Sequence, residues 1–374
     1  MKRIIFVTGT RADYGKLKPL MIAVEESIDF ELHVYVTGMH LLAQYGSTFK
    51  EVVKDGYSHI YIARENMPTY NMSDDLGKSI SNFTRYVGEI KPDCIVVHGD
   101  RGDALMGSIV GAFNNVHVIH VEGGEVTGTI DESIRHAITR FAHFHLVANT
   151  SAEELLLAMG ESSQRIKVIG SPDIDIITGQ SLATIDEVKQ SLEIPFDSYA
   201  VLLFHPVVTE VGILQQQVTE LVEACKESDK KFIVIYPNND SGSHIILEAY
   251  KQLEEDDSFL FFKSVRFEEF LVVLQHAEFM IGNSSAGVRE APYFGVPTID
   301  IGTRQMGRYS KDDISITHVE CNSKEILQAI ERLPHRYTVH HNWGQGNSAE
   351  LFMNILDSEE FWHIPLQKKL SYKE

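Results

Sequence analysis

Residues 95–136 read IVVHGDRGDALMGSIVGAFNNVHVIHVEGGEVTGTIDESIRH. This stretch contains two short apolar runs rich in β-branched residues, Ile95–Val97 and Val116–Val121, and each run ends in polar residues and glycine. Such runs are typical of parallel strands that are buried on both faces. Because ligands bind outside the carboxyl ends of the strands in an open α/β sheet, these polar segments predict a functional edge.

Three carboxylates follow these strands and are candidate catalytic residues. Asp100 comes after the first run, Glu122 after the second, and Asp131 at the start of the next helix. Burial and neighbouring charge move carboxylate pKa values apart, which suits groups that exchange protons with a substrate. Each residue also has a structural interpretation, as a turn former, an arginine partner and a helix N-cap respectively. The nearby acidic residues are expected to face solvent or to support the site: Asp103, Glu125 and Glu132.

Strands alternate with helices along most of the chain, which predicts parallel, doubly wound sheets. The 374 residues are enough for two domains. We predict an α/β protein with two Rossmann-like domains and a central cleft. Residues 1–172 form the N-terminal domain with the carboxylates, and residues 173–357 the C-terminal domain. Residues 171–198 are the expected linker, and a final helix over 358–374 is expected to return to the first domain.

Composition excludes several classes of function. The formal net charge of −20 argues against nucleic-acid binding. The sequence has no apolar run near the length of a membrane helix, and its first residues do not resemble a signal peptide. The three cysteines form no CxxC motif, so we expect reduced thiols in a cytoplasmic protein. No cofactor and no metal is expected, because the histidines, including His143 and His145, lack a spacing such as HExxH.

The first strand, Arg3–Val7, leads into TGTRADYG and then a helix. A loop of small residues between a strand and a helix is a phosphate-binding context, although the dinucleotide pattern GxGxxG is absent. A tight turn with Asp13 as the helix N-cap explains the same residues. Both interpretations stay open for this loop.

The second half has its own candidate site after a strand near Phe279–Ile281. Asn283, Ser284 and Ser285 are predicted at a helix N-terminus, where backbone N–H groups and hydroxyls suit a diphosphate. Glu290 follows and could accept hydrogen bonds from ribose hydroxyls. An ordinary N-cap with a solvated glutamate is the alternative. Further polar residues end the strands of this half: His205, Asn238, Ser264, Val265 and Arg266.

Taken together, these motifs resemble the hydrolysing branch of the UDP-N-acetylglucosamine 2-epimerase family over nearly the whole chain. The resemblance rests on RADY at residues 11–14, HGDR at 98–101 and HVEGGEVTGTIDESIRH at 120–136. The second half contributes FHP at 204–206, PNNDSG at 237–242 and GNSSAGVREAPYFGVPTIDIGTRQ at 282–305. The resemblance implies a glycosyltransferase-B architecture with nucleotide binding in the C-terminal half.

The resemblance also implies roles for individual residues. Asp100, Glu122 and Asp131 match the catalytic carboxylates, and His205 matches a cleft histidine near the diphosphate. The remaining matches are cleft arginines and contacts to uridine, ribose and diphosphate: Arg11, Arg101, Asn238, Ser264, Val265, Ser284, Ser285, Glu290 and Arg304. Two positions depart from relatives: Gly15, where some have serine, and Ser264, where animal enzymes have histidine.

The implied reaction converts UDP-N-acetylglucosamine and water to N-acetylmannosamine and UDP, the first step of sialic acid biosynthesis. A related substrate, UDP-2,4-diacetamido-2,4,6-trideoxyglucose of the legionaminic acid pathway, is an alternative that the sequence does not separate. A glycosyltransferase of the same fold and a non-catalytic sugar-nucleotide sensor are further alternatives. A dehydrogenase is disfavoured by the missing GxGxxG. As relatives are oligomers, a homodimer or homotetramer is expected.

Overall fold

The computed structural model describes residues 1–66, 71–126, 130–179, 182–310, 312–337, 339 and 343–369. These residues form two compact units. Unit 1 comprises Met1–Glu125, Asp131–Gln180 and Asn342–Glu374, and unit 2 comprises Val126–Ile130 and Ser181–His341. Within the described ranges, no helix has both the length and the apolar character needed to span a bilayer.

Unit 1 is built on a seven-stranded parallel sheet. Its strands are β1 (Lys2–Thr8), β2 (Phe30–Val36), β3 (Ile60–Ile62), β4 (Cys94–His98), β5 (His117–Val121), β6 (Phe144–Val147) and β7 (Ile166–Val168). Their order is β3-β2-β1-β4-β5-β6-β7. The winding reverses between β1 and β4, which places a crevice at the carboxyl ends of these two strands.

Helices flank this sheet and supply most of the core. Numbered along the whole chain, they are α1 (Arg11–Glu25), α2 (Phe49–Asp55), α3 (Met72–Ile90), α4 (Gly102–Phe113), α5 (Ile130–Phe141), α6 (Thr150–Ala158), α7 (Pro172–Thr178), α14 (Ser348–Leu356) and α15 (Glu359–Trp362). The apolar stripe of α1 is fully buried at Leu17, Leu20 and Met21, as expected from its helical spacing. On the other face of the sheet, Phe83 of α3 packs against Tyr35 of β2.

Unit 2 repeats the design with a six-stranded parallel sheet. Its strands are β8 (Ala200–Leu203), β9 (Phe232–Ile235), β10 (Phe259–Phe262), β11 (Met280–Gly282), β12 (Thr298–Ile301) and β13 (Ile316–Val319). Its helices are α8 (Ile185–Ser191), α9 (Leu214–Glu227), α10 (Ser243–Tyr250), α11 (Phe267–Gln275), α12 (Glu290–Tyr293) and α13 (Ser323–Arg332). The order β10-β9-β8-β11-β12-β13 reverses between β8 and β11. Two Rossmann-like α/β units are thus confirmed.

The division into units differs from the predicted boundary at residues 172 and 173. The sequence places α7 and α14 in the second domain, whereas both contact α1 in unit 1. The reason is burial, since Ile174 and Phe352 are fully enclosed and the ring of Phe352 lies 5.9 Å from that of Phe6. The predicted linker over 171–198 likewise contains α7 and α8.

The final helix is shorter than the sequence predicts. The expected helix over 358–374 is reduced to α15 within the described residues. Pro365 disfavours helical backbone at the residue before it, so α15 ends early while Phe361 still packs into the core of unit 1.

Candidate functional site

The carboxyl ends of β1, β4 and β5 form the edge that we call the unit 1 edge. Arg135 of α5 links two of the predicted carboxylate positions there. One guanidinium nitrogen pairs with the Asp100 carboxylate, and the other donates a 2.7 Å hydrogen bond to the main-chain oxygen of Glu122. The same nitrogen lies 3.5 Å from the Glu125 carboxylate. Because Arg135 is buried, it fixes the loops after β4 and β5 relative to each other.

Glu122 is buried and lies among groups that stabilise its charge. Ser171 donates a hydrogen bond to Oε1, while Nε2 of His98 lies 3.0 Å from Oε2. Nζ of Lys16 is 3.9 Å from the same oxygen and 3.0 Å from Asp173. The arginine-partner interpretation of Glu122 is therefore incomplete, because its carboxylate is surrounded by a lysine, a histidine and a hydroxyl.

The backbone at Glu122 is held in an uncommon conformation. Its φ is +59°, which is uncommon for a residue with a side chain. Its N–H still donates to Leu146 of β6 at 2.8 Å, so the sheet pairing continues up to this residue. Left-handed backbone is strained for a residue other than glycine, so it persists only where the surrounding structure offsets the strain. Such residues cluster at functional sites.

Asp131 lies in the first turn of α5 and is buried. It precedes Arg135 by four residues, so both side chains are on the same face of the helix. Arg135 thus joins the Asp100 and Glu122 positions, and Asp131 lies one turn before this arginine on the same helix. Glu125 is also buried beside Arg135, so it supports the site and does not face solvent.

The loop after β1 is a tight turn closed by its own carboxylate. Thr10 is the N-cap of α1, and Asp13 completes a capping box with it. The Asp13 carboxylate also accepts from the N–H groups of Gly9 and Thr10, at 2.9 and 2.8 Å. Asp13 is therefore not the N-cap, and its carboxylate engages N–H groups that a phosphate would otherwise use. Next to it, Arg11 pairs with Glu51 of α2 through two guanidinium nitrogens.

Asp103 reaches into the same loop from the first turn of α4. An added Cβ on Gly9 would lie 2.0 Å from its Oδ2, so a larger residue at position 9 would displace the Asp103 carboxylate. Burial, and next the charge of Asp13, raise the pKa of Asp103 to about 6. Arg101, predicted as a cleft arginine, is the N-cap residue of this helix and is half-buried. The carboxylate of Asp103 is thus placed at the unit 1 edge, although the sequence assigned it only a solvent-facing or supporting role.

In unit 2, the carboxyl ends of β8, β9 and β11 form a second edge. The N–H of His205 donates to Oδ1 of Asn283 at 2.7 Å, and Nδ2 of Asn283 donates back to the main-chain oxygen of His205 at 2.9 Å. The N–H of Asn238 donates to Nδ1 of His205 at 3.0 Å. Since Nδ1 accepts this bond, the proton of the neutral imidazole lies on Nε2, which is therefore a donor.

The segment after β11 differs from the predicted single helix. Ser284 caps a 3₁₀ turn over Ser285–Gly287, and the four-residue α12 begins only at Glu290, which is buried. The backbone at Gly282, which precedes this segment, lies close to the backbone of β8, and this explains why the residue is glycine. Gly282 has a φ of +134°, and an added Cβ would lie 2.1 Å from the Leu203 oxygen of β8.

Further predicted residues lie around this unit 2 edge. Arg304 and Gln305 both donate to the main-chain oxygen of Asn283, at 3.1 and 2.7 Å. The residues Ser264, Val265 and Arg266 join β10 to α11, and Arg266 is the N-cap residue of that helix. The described structure therefore places these residues at strand ends of one unit, as the sequence predicts.

Several residues with a clear structural part were missed from the sequence. Four of them contact Asp100 or Glu122 and are distant in the sequence from the residue that they contact: Arg135, Lys16, His98 and Ser171. The fifth, Asp173, pairs with Lys16. Arg135 had a sequence signal, because it follows Asp131 by four residues on a helix. For Lys16 and Ser171 the pairing with Glu122 depends on tertiary structure alone.

Comparison with known proteins agrees with this architecture. The family model described as UDP-N-acetylglucosamine 2-epimerase matches residues 22–357. A UDP-N-acetylglucosamine 2-epimerase of Neisseria meningitidis serogroup B is 43% identical, over 99% of this chain and 98% of that protein. A Legionella pneumophila protein named UDP-N,N′-diacetylbacillosamine 2-epimerase (hydrolyzing) is 31% identical, over 100% of this chain and 99% of that protein.

A solved structure shows the same fold. The crystal structure of the Methanocaldococcus jannaschii UDP-GlcNAc 2-epimerase, in complex with UDP-GlcNAc and UDP, has a TM-score of 0.79 and 21% sequence identity. The match covers 95% of this chain and 99% of that chain. The predicted family resemblance is confirmed by the family model and by the identity to both relatives. The chain belongs to the UDP-N-acetylglucosamine 2-epimerase family.

Proposed function

We propose that the protein is a hydrolysing 2-epimerase that converts UDP-N-acetylglucosamine and water to N-acetylmannosamine and UDP. The observation that carries the proposal is the carboxylate arrangement at the unit 1 edge, where Arg135 joins Asp100 to the loop of Glu122. A sugar-nucleotide sensor would not need a buried glutamate flanked by Lys16 and His98. Membership of the epimerase family supports the same conclusion.

The chemistry explains why several carboxylates are needed. The C2 proton of the sugar is not adjacent to a carbonyl, so its removal alone would be very costly. When the bond from C1 to the diphosphate oxygen breaks, positive charge develops at C1 and the C2 proton becomes acidic. A carboxylate then takes this proton, and anti elimination gives UDP and 2-acetamidoglucal. Water adds at C1 and a proton returns to the opposite face of C2, which gives N-acetylmannosamine.

We assign the proton transfers to Asp100, Glu122 and Asp131, one of which activates the water. A positioned acid or base contributes roughly 10²–10⁴-fold to the rate. Nζ of Lys16 lies 3.9 Å from the Glu122 carboxylate, and the hydrogen bond from Ser171 fixes the direction of this carboxylate. Asp131 is the second residue of α5 and not its N-cap, and its competing interpretation is a carboxylate that stabilises the helix N-terminus.

We assign binding of the UDP group to unit 2. Nε2 of His205 is a hydrogen-bond donor, which suits the growing negative charge of the leaving diphosphate. Asn283 holds the backbone of His205 in place by two reciprocal bonds. The other unit 2 residues proposed to contact uridine, ribose or diphosphate are Asn238, Ser264, Val265, Arg266, Ser284, Ser285, Glu290 and Arg304. Arg11 and Arg101 of unit 1 stay proposed as substrate-binding arginines.

The relatives support the substrate and the hydrolysing branch. The chain is more similar to the Neisseria UDP-N-acetylglucosamine 2-epimerase than to the Legionella enzyme named for UDP-N,N′-diacetylbacillosamine. We therefore place the protein at the first step of sialic acid biosynthesis. The second candidate substrate is UDP-2,4-diacetamido-2,4,6-trideoxyglucose, which the hydrolysing Legionella relative favours.

Product analysis with both UDP-sugars tests the proposal. We expect UDP and free N-acetylmannosamine in equal amounts from UDP-N-acetylglucosamine, and slower turnover of the diacetamido sugar. UDP-N-acetylmannosamine without free UDP would contradict the hydrolysing assignment. Turnover of the diacetamido sugar alone would select the second substrate, and turnover only after addition of a sugar acceptor would indicate a glycosyltransferase.

A further inference from the structure

Three potential metal ligands meet on one face of the unit 1 sheet. Glu31 and His33 lie two residues apart on β2, so their side chains point to the same face. His59 immediately precedes β3, whose Ile60 pairs with Val34, so the parallel register sets His59 beside His33. One ligand atom from each of the three residues lies within 4.8 Å of the others.

The contacts among these side chains bring the donor atoms together. Nε2 of His33 is 2.6 Å from Oε1 of Glu31. The rings of His33 and His59 are stacked, with centroids 4.6 Å apart and planes 16° from parallel. In a tetrahedral zinc site with bonds of about 2.0–2.2 Å, ligand atoms are about 3.4 Å apart. Side-chain shifts of about 1 Å would therefore bring the three atoms to coordination distance.

We propose that Glu31, His33 and His59 form a binding site for a divalent transition-metal ion. Two imidazoles and one carboxylate are a donor set that suits zinc and its neighbours in the first transition series. His33 is buried while His59 is exposed, so the site is anchored in the sheet and open to solvent on one side. Water would supply the remaining ligands.

Neighbouring groups tune this site. The hydroxyl of Tyr86 lies 3.5 Å from Nδ1 of His33, where it can orient the ring once Nε2 binds a metal. Nε of Arg3 lies 3.3 Å from Oε1 of Glu31 and competes with a cation for this carboxylate. The Arg3 side chain is about half exposed, so it can turn away when a metal binds.

The position of the site indicates a structural role. β3 is a three-residue strand at the edge of the sheet, and a metal between His33 and His59 would tie it to β2. The cluster is away from the carboxyl ends of the strands, where the proposed catalytic groups lie. His143 differs from this cluster in the partners of its ring. His143 uses both ring nitrogens for main-chain bonds, to Val118 and Leu366.

Zinc titration of untagged protein by isothermal calorimetry tests the site. We expect one equivalent of Zn²⁺ to bind, together with a rise in melting temperature that EDTA reverses. His59→Asn should weaken this binding at least about tenfold, because loss even of outer-shell groups costs 10–100-fold in affinity. The matched control is His335→Asn, which changes an exposed histidine of unit 2 and should bind as the parent does.

A second variant has the opposite expectation. Arg3→Gln removes the cation that competes for Glu31 and should tighten zinc binding. Circular dichroism checks that each variant is folded. If Arg3→Gln does not fold, the comparison of zinc affinity between His59→Asn and His335→Asn still tests the site. Equal affinity of the parent and His59→Asn, or no saturable binding at all, would overturn the proposal.

Discussion

Arg135 provides a sharp test of how the unit 1 edge is held together. It neutralises Asp100 and Glu125 and bonds the main-chain oxygen of Glu122. Arg135→Met keeps most of the side-chain volume but leaves both carboxylates without this cation. Removing one partner of a buried ion pair costs roughly 3–5 kcal/mol.

The exposure of the partners selects the lower end of this range. The Asp100 side chain is 22% exposed, so water partly compensates it, and we expect a loss of about 3 kcal/mol. For a unit of this size, 1 kcal/mol corresponds to roughly 2–4 °C in melting temperature. The transition that includes unit 1 should therefore fall by roughly 6–12 °C in differential scanning calorimetry. Turnover should fall by about 10²-fold or more, because Asp100 loses its fixed position.

Arg140→Met is the matched control on the same helix. Arg140 pairs with Glu161 at 2.9 Å, but its side chain is 39% exposed. Glu161 keeps Lys368 at 2.7 Å and His145 at 3.3 Å after the change, so no buried charge is stranded. We expect a loss of at most about 1 kcal/mol. Equal melting temperatures for the two variants, or full turnover in Arg135→Met, would show that Arg135 does not hold the unit 1 edge together.

Three further predictions concern other residues. Asp131→Asn should abolish turnover and leave UDP affinity in calorimetry unchanged, whereas a matching loss of UDP affinity would argue for a purely structural role at the start of α5. Gly282→Ala should destabilise unit 2 by at least about 2 kcal/mol, since its φ of +134° is open only to glycine and its Cβ would meet a main-chain oxygen. The control is Gly77→Ala at an exposed position of α3, where an added Cβ meets nothing, and it should stabilise the protein by roughly 0.5–1 kcal/mol. Equal chemical denaturation curves for the two variants would contradict both expectations. Asp103 has a folded-state pKa raised to about 6, so its stabilising effect is full below pH 4 and is lost as pH rises through 6. The pKa rises from 3.8 to about 6, so Asp103→Asn should be more stable than the parent by about 3 kcal/mol at pH 7–8 and not at pH 4. A pH-independent difference in urea midpoints would reject this.

The sequence predicted those features that depend on local pattern. The apolar runs Ile95–Val97 and Val116–Val121 correspond to β4 and β5, because apolar periodicity and the flanking turn residues fix these strands. The candidate carboxylates Asp100 and Glu122 were found because they end adjacent buried strands. Sheet topology then brings such residues to one edge whatever their detailed contacts.

Features that depend on tertiary structure were not predictable. The pairing of Lys16 with Asp173 joins α1 to α7, and no local pattern signals it. β13 was missed because it has four residues, two of them polar, and only its pairing with β12 makes it a strand. The N-cap of α1 was placed at Asp13 because aspartate favours that position, whereas Thr10 and Asp13 form a reciprocal capping box.

The proposed reaction exchanges the C2 hydrogen of the sugar while UDP is released. An NMR time course with UDP-N-acetylglucosamine in D₂O follows both events in one sample. We predict free N-acetylmannosamine that carries deuterium at C2, together with one equivalent of UDP. N-acetylmannosamine that retains hydrogen at C2, or UDP-N-acetylmannosamine with no free UDP, would contradict the proposed reaction.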